Sequence, residues 1–288
     1  MTLSLSVRIA EGFSSKETAS MSLEELTPLA AASGYSALCI RASQVGVHSG
    51  PTAVQEAAEI IRKHGLAVTM VTGDFDIVYN NDAGPNCLRR IKPYLDLALA
   101  LNAPLIRVAL KSDDDILRAQ RAADEAAERS LKLVHQCHTQ SLFETVEGIE
   151  QTLRRIGRPN FGLVYEPANL ELCGQDYRQE TIRRLAPWIF NVYLQNQILK
   201  PDGKLTLPTS CHGPVSFDLI PIPQPGGIDF VGVFEGLAAM GYRGSMTVHQ
   251  AQNETEPVSE AIRGTAGYLI ELARRTGLDA AGRHTRVS

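Results

Sequence analysis

The apolar run LKLVHQ, starting at Leu131, ends in His135, Gln136, Cys137 and His138 instead of in turn-forming Gly, Asn or Pro. An imidazole titrates near neutral pH, so His138 is read as a group able to move a proton. Gln136 sits two residues earlier, on the same side of an extended chain, and can orient an oxygen but not exchange a proton. Cys137 points the opposite way and is assigned to packing. Other apolar runs end in the same manner. FGLVYE closes on Glu166, IFNVYLQ on Tyr193, Gln195 and Asn196, and SMTVHQ on His249 and Gln250; earlier runs supply Arg41 with nearby His48, Asp74 with Asp76, and Arg107. Any one of these also fits a solvated surface position. Their recurrence at strand ends suggests a shared site.

Eight β-rich runs are found: LSLSV from Leu3, ALCIR from Ala37, AVTMV from Ala67, LIRVAL from Leu105, LKLVHQ from Leu131, FGLVYE from Phe161, IFNVYLQ from Ile189 and SMTVHQ from Ser245. Segments of helical spacing separate them, many ending in Gly or Asn as helix C-caps do. No Ser/Gly linker or change in composition divides the chain. The expectation is an α/β protein with one (β/α)8 TIM-barrel domain over residues 1–288. A doubly wound open sheet is disfavoured, because no GxGxxG follows the first strand. In a barrel the reacting groups sit at the carboxyl ends of the strands, where the polar residues above fall.

Composition narrows the partners. The net charge is −4 and the basic residues are scattered, which argues against nucleic acid. No apolar run reaches the roughly 18 residues of a membrane span, and the amino-terminal residues lack a leader pattern, so a cytoplasmic location is expected. Five cysteines without a CxxC are read as reduced thiols. Two long polar segments, 74–86 and the proline-rich 200–227, are expected to cover the mouth; the second could instead serve a homo-oligomer interface, and it brings His212 near the site.

With these residues in view, a family resemblance emerges. FGLVYEPANL resembles the strand-six motif of the xylose isomerase-like sugar phosphate isomerase/epimerase superfamily, with Glu166, Pro167 and Asn169 on its pattern. GYRGSMTVHQ is similar to its last strand, GLAVTMVTG to its third, and IPIPQPGGIDF to its lead-in to the last helix. The superfamily includes tagatose epimerases, hydroxypyruvate isomerases, inosose dehydratases and endonuclease IV. The resemblance implies a sugar, keto-sugar or cyclitol ligand and a divalent metal held by Glu, Asp, His and Glu on strands five to eight. Here those places hold Gln136, Glu166, a residue among Tyr193, Gln195 and Asn196, and His249. Gln136, Glu166, Gln195 and His249 are therefore the candidate ligands for Mn, Mg or Zn, and a two-glutamate epimerase mechanism is disfavoured. Arg41, His48, Arg107, Asn169, Tyr193 and His212 are assigned to substrate contacts. His138 or His249 would move the proton in an isomerisation, epimerisation or elimination of water. The alternative is a non-catalytic carbohydrate-binding barrel or an inactive subunit of a larger assembly.

Overall fold

The computed structural model describes residues 1–252 and 256–278. The strands are β1 (Thr2–Ser6), β2 (Ala37–Arg41), β3 (Ala67–Thr72), β4 (Leu105–Arg107), β5 (Lys132–Gln136), β6 (Phe161–Tyr165), β7 (Ile189–Leu194), β8 (Gln197–Leu199), β9 (Leu205–Thr209), β10 (Gly213–Leu219) and β11 (Ser245–Val248). Eight of them form a closed parallel barrel in the order β1-β11-β7-β6-β5-β4-β3-β2. Thr2 to Leu5 pair with Ser245 to Val248, and this pairing closes the ring. The expected barrel is thus the observed one, and the open sheet is excluded. The end of the 1–288 domain lies outside the described residues. No helix among the described residues is long and apolar enough to cross a membrane.

Strand alternation explains the two-sided burial. Leu133, His135 and Cys137 point out of β5 towards the helices, while Val134 and Gln136 point in. The outward residues of every strand join one large apolar layer beneath the helices, where each buried Leu, Ile or Val stabilises by about 1.5–3 kcal/mol.

Helix ends follow local chemistry. Ser22 and Glu25 form a reciprocal capping box before the helix Leu23–Ala32, and Gly157 (φ 58°) stops the helix Val146–Ile156 in the left-handed conformation that glycine tolerates. One expected helix, 87–102, is broken into Asn86–Arg89 and Lys92–Ala100. Pro93 lacks the N–H that would continue the first turn, so a new helix starts around it.

The segment 200–227 departs from the expected loop. It contains β9 and β10, which with β8 just before it form an antiparallel sheet, ordered β8-β10-β9, inserted between β7 and the last barrel strand. Segment 74–86 likewise contains a short helix, Phe75–Tyr79, capped by the Asp74 side chain.

Candidate active site

Each barrel strand contributes one inward residue to a floor: Ser4, Cys39, Met70, Leu105, Val134, Val164, Tyr193 and Thr247. Two residues further along every strand stands a second ring, at the carboxyl end: Ser6, Arg41, Thr72, Arg107, Gln136, Glu166, Gln195 and His249. A period of two makes this layering automatic once the strands are in register. Above the ring lies a cavity of about 80 Å³, whose walls add Arg8, Phe13, Lys16, Tyr79, His138, Asn169 and Leu207. A larger groove of about 670 Å³ runs between the helices Pro51–Lys63 and Lys92–Ala100. It is mostly apolar, and its charged residues Glu59, Arg62 and Asp96 are exposed, so the smaller, polar cavity is the candidate site.

Glu166 is the buried carboxyl of this cavity. Its Oε2 accepts from Gln136 Nε2 and, at 2.7 Å, from Asn169 Nδ2; Asn169 is itself anchored at 2.7 Å on the Cys137 carbonyl. Oε1 accepts from no described residue. Burial raises the Glu166 carboxyl to about 7, although the Gln136 amide and the arginines Arg107, Arg8 and Arg41 pull the other way.

The opposite wall is cationic. Arg41 Nε donates to both oxygens of Glu11 at 3.0 Å, and Ser43 Oγ donates to the same carboxylate at 2.6 Å. Burial opposes ionisation of Glu11, but Arg41 and Arg8 outweigh it and hold the carboxyl low. Arg107 is fully buried and makes no hydrogen bond or ion pair with any described residue, its Nε orphaned; Arg8 Nη1 and Arg41 Nη2 also lack hydrogen bonds but pair ionically with Glu11 Oε2 at 3.7 and 2.9 Å. Lys16 leans over Phe13 and Tyr79, its nitrogen 5.9 and 5.3 Å from the ring centres. Burial, then repulsion from Arg8, Arg41 and Arg107, lowers Lys16 to about 6.

The histidines are weak bases here. His249 stacks on Tyr193 at 3.7 Å, contacts Ser6 Oγ through Nδ1 at 3.1 Å and places Nε2 3.4 Å from Arg41 Nη1. Burial first, then Arg41, pushes it well below the usual imidazole range. His138 is lowered likewise by burial and Arg107. His138 Nδ1 lies 3.0 Å both from Asn80 Nδ2, a donor, and from the Thr139 carbonyl, an acceptor. At neutral pH both rings are uncharged and poor proton acceptors.

Of the residues singled out in the sequence, Arg41, Arg107, Gln136, His138, Glu166, Asn169, Gln195 and His249 line one cavity. Three do not. His48 stacks on Phe75 at 5.2 Å, outside the barrel mouth. Tyr193 belongs to the floor, its hydroxyl 3.5 Å from Cys39 Sγ. His212 sits on the β9–β10 turn with Nε2 3.1 Å from the Cys173 carbonyl. Arg8, Glu11, Lys16 and Asn80 were not anticipated. The charged cluster RIAEGF directly after the first strand was the available signal for two of them. Asn80, at φ 50°, occupies the left-handed position ending Phe75–Tyr79, which its short amide side chain tolerates.

Comparison with known proteins agrees with this architecture. An inosose dehydratase of Geobacillus thermodenitrificans strain NG80-2 is 27% identical over 134 residues, 46% of this chain and 45% of that protein, so the match spans about half of the relative's length. A xylose isomerase domain protein from Planctomyces limnophilus superposes with a TM-score of 0.71 at 16% identity, covering 96% of this chain and 98% of the other. A xylose isomerase-like TIM barrel protein from Mycobacterium smegmatis, solved with magnesium, gives 0.70 at 11% identity over 96% and 97%. The family model for the xylose isomerase-like TIM barrel matches residues 28–271, and the chain belongs to that family.

Proposed function

We propose that the protein is an enzyme that moves a proton next to a carbonyl of a sugar, keto-sugar or cyclitol, as an isomerase, epimerase or dehydratase. The observation behind this is Glu166: a buried carboxyl raised to about 7, one oxygen clamped by two amides and the other unpartnered. Such a group is matched to accept and return a proton near neutral pH. Arg107, with no protein partner, would stabilise the oxygen that gains charge as the proton leaves carbon. Asn169 and Gln136 hold the carboxylate in place, and a neutral His138 borders the same cavity. The inosose dehydratase relative supports the same class of polyhydroxylated carbonyl compound.

The divalent metal implied by the family fits this donor set poorly. Gln136, Glu166, Gln195 and His249 do face one cavity, but Glu166 is their only anion. Glu11 is engaged by Arg41 and Ser43, and His249 Nε2 faces a guanidinium. A dication 8 Å from a guanidinium is repelled by roughly 4 kcal/mol at an effective dielectric of 20, and three guanidiniums line the cavity. No step is therefore routed through a metal.

The test is exchange of carbon-bound hydrogen for deuterium, followed by NMR over a panel of keto-sugars and cyclitols, with and without EDTA. At least one compound should exchange, EDTA should change the rate less than twofold, and Glu166→Gln should abolish exchange. If nothing on the panel exchanges, a non-catalytic ligand-binding barrel becomes the better description. If EDTA stops the exchange, the metal argument fails.

A further inference from the structure

Resting on the reading that this cavity is the ligand site, we propose that its ligand carries an oxyanion, a carboxylate or a phosphate, received by Arg107 and Arg8 with Lys16 closing over it. The charges do not balance within the protein. Three guanidiniums, Arg8, Arg41 and Arg107, are buried around one cavity against two carboxylates, Glu11 and Glu166. Glu11 is already consumed: Arg41 takes both of its oxygens, Ser43 adds a hydrogen bond, and Arg8 Nη1 comes no closer than 3.7 Å. Glu166 is tied to Gln136 and Asn169.

What remains is donor capacity without an acceptor. Arg107 Nε is buried without a partner; Arg8 Nη1 makes no hydrogen bond and has only a 3.7 Å ion pair to Glu11, and Arg41 Nη2, although 2.9 Å from Glu11, lacks hydrogen-bond geometry. Buried guanidiniums without partners are costly, and a folded protein retains them where a ligand supplies the missing charge. A neutral polyol could satisfy single N–H groups but would leave the excess charge buried. An oxyanion meets both needs, and the planar guanidinium matches its geometry. Lys16 adds a movable amine on an aromatic ledge of Phe13 and Tyr79, to which an arriving anion would restore the proton that the arginines disfavour.

Calorimetric titration of the full chain with D-glycerate, glycerol 3-phosphate and glycerol tests this. At least one anion should bind tenfold or more tightly than glycerol, and its affinity should fall as sodium chloride is raised. Preference for glycerate or for glycerol 3-phosphate separates the carboxylate from the phosphate. Arg107→Gln should weaken the anion at least tenfold and Lys16→Met about threefold. Should Arg107→Gln fail to fold by circular dichroism, Lys16→Met, close to the surface, decides alone. Equal affinity for glycerol, no binding of either anion, or unchanged anion affinity in the folded variants would each overturn the proposal. The functional reading fails separately: anion binding with no hydrogen exchange on any compound sinks the enzyme and leaves the anion site standing.

Discussion

Glu166 stands where neither water nor a permanently paired cation stabilises its charge, and the consequences of that position are measurable. As the base, its replacement by Gln should lower turnover by about 10² to 10⁴, and kcat/KM of the wild type should rise as pH passes about 7. The same carboxyl bears on stability. Its folded-state value lies above its unfolded one, so the proton favours the folded state; that stabilisation is full below about pH 4.5 and fades as pH rises through about 7. Glu166→Gln should therefore raise the unfolding free energy at pH 8 by roughly 3 kcal/mol and change it little at pH 4, which urea titrations at the two pH values would show. His138→Gln should cost less than about tenfold and leave the pH midpoint unmoved, because the ring is already neutral. A lost pH limb in that variant would return the role to His138. The residue types at the strand ends were legible in the sequence. Their ionisation was not, since it depends on burial and on arginines arriving from β2 and β4 and from the turn after β1.

At the level of elements, the β8–β10 insertion roofs one side of the mouth: Leu207 of β9 lines the cavity, and Phe217 of β10 packs edge-on against Phe13 at 5.7 Å. Its far turn is pinned by Glu144, whose carboxylate accepts from the backbone N–H groups of Gln140, Ser210 and Cys211. Those bonds saturate the carboxylate, so the neighbouring thiols of Cys173 and Cys211 gain no free third ligand from it. Glu144→Ala should destabilise the protein by about 3 kcal/mol and speed hydrogen exchange at Ser210 and Cys211 well beyond that at barrel amides. Equal acceleration throughout would show that the turn is not a local anchor. The barrel strands could be read from their apolar runs, whereas β9 and β10 could not. Pro208 and Pro214 sit opposite each other there, and two residues without N–H groups look like loop chemistry until β9 is seen to be an edge strand and β10 to have no partner on its other side at Pro214, where β8 does not reach.

Across the whole molecule, ring closure and charge meet at Glu11, which joins Arg41 of β2 to the turn after β1 beside the β1–β11 junction. Glu11→Gln would leave two buried guanidiniums uncompensated, and a loss of about 3–5 kcal/mol is expected, as one calorimetric transition at lower temperature. Two separated transitions would mean that the ring opens before the rest unfolds. The architecture was legible because eight strand-helix units leave few alternatives. The sign of the chamber was not, because a chain of net charge −4 gives no hint that its interior is basic. The floor of that chamber has a kinetic corollary. Cys39, Met70, Val134, Val164 and Tyr193 are sealed from solvent, so nothing passes through the barrel, and whatever enters at the mouth must leave by it. Arrival and departure share one doorway: the product should compete directly with the substrate, raising apparent KM in proportion to its concentration while leaving kcat untouched.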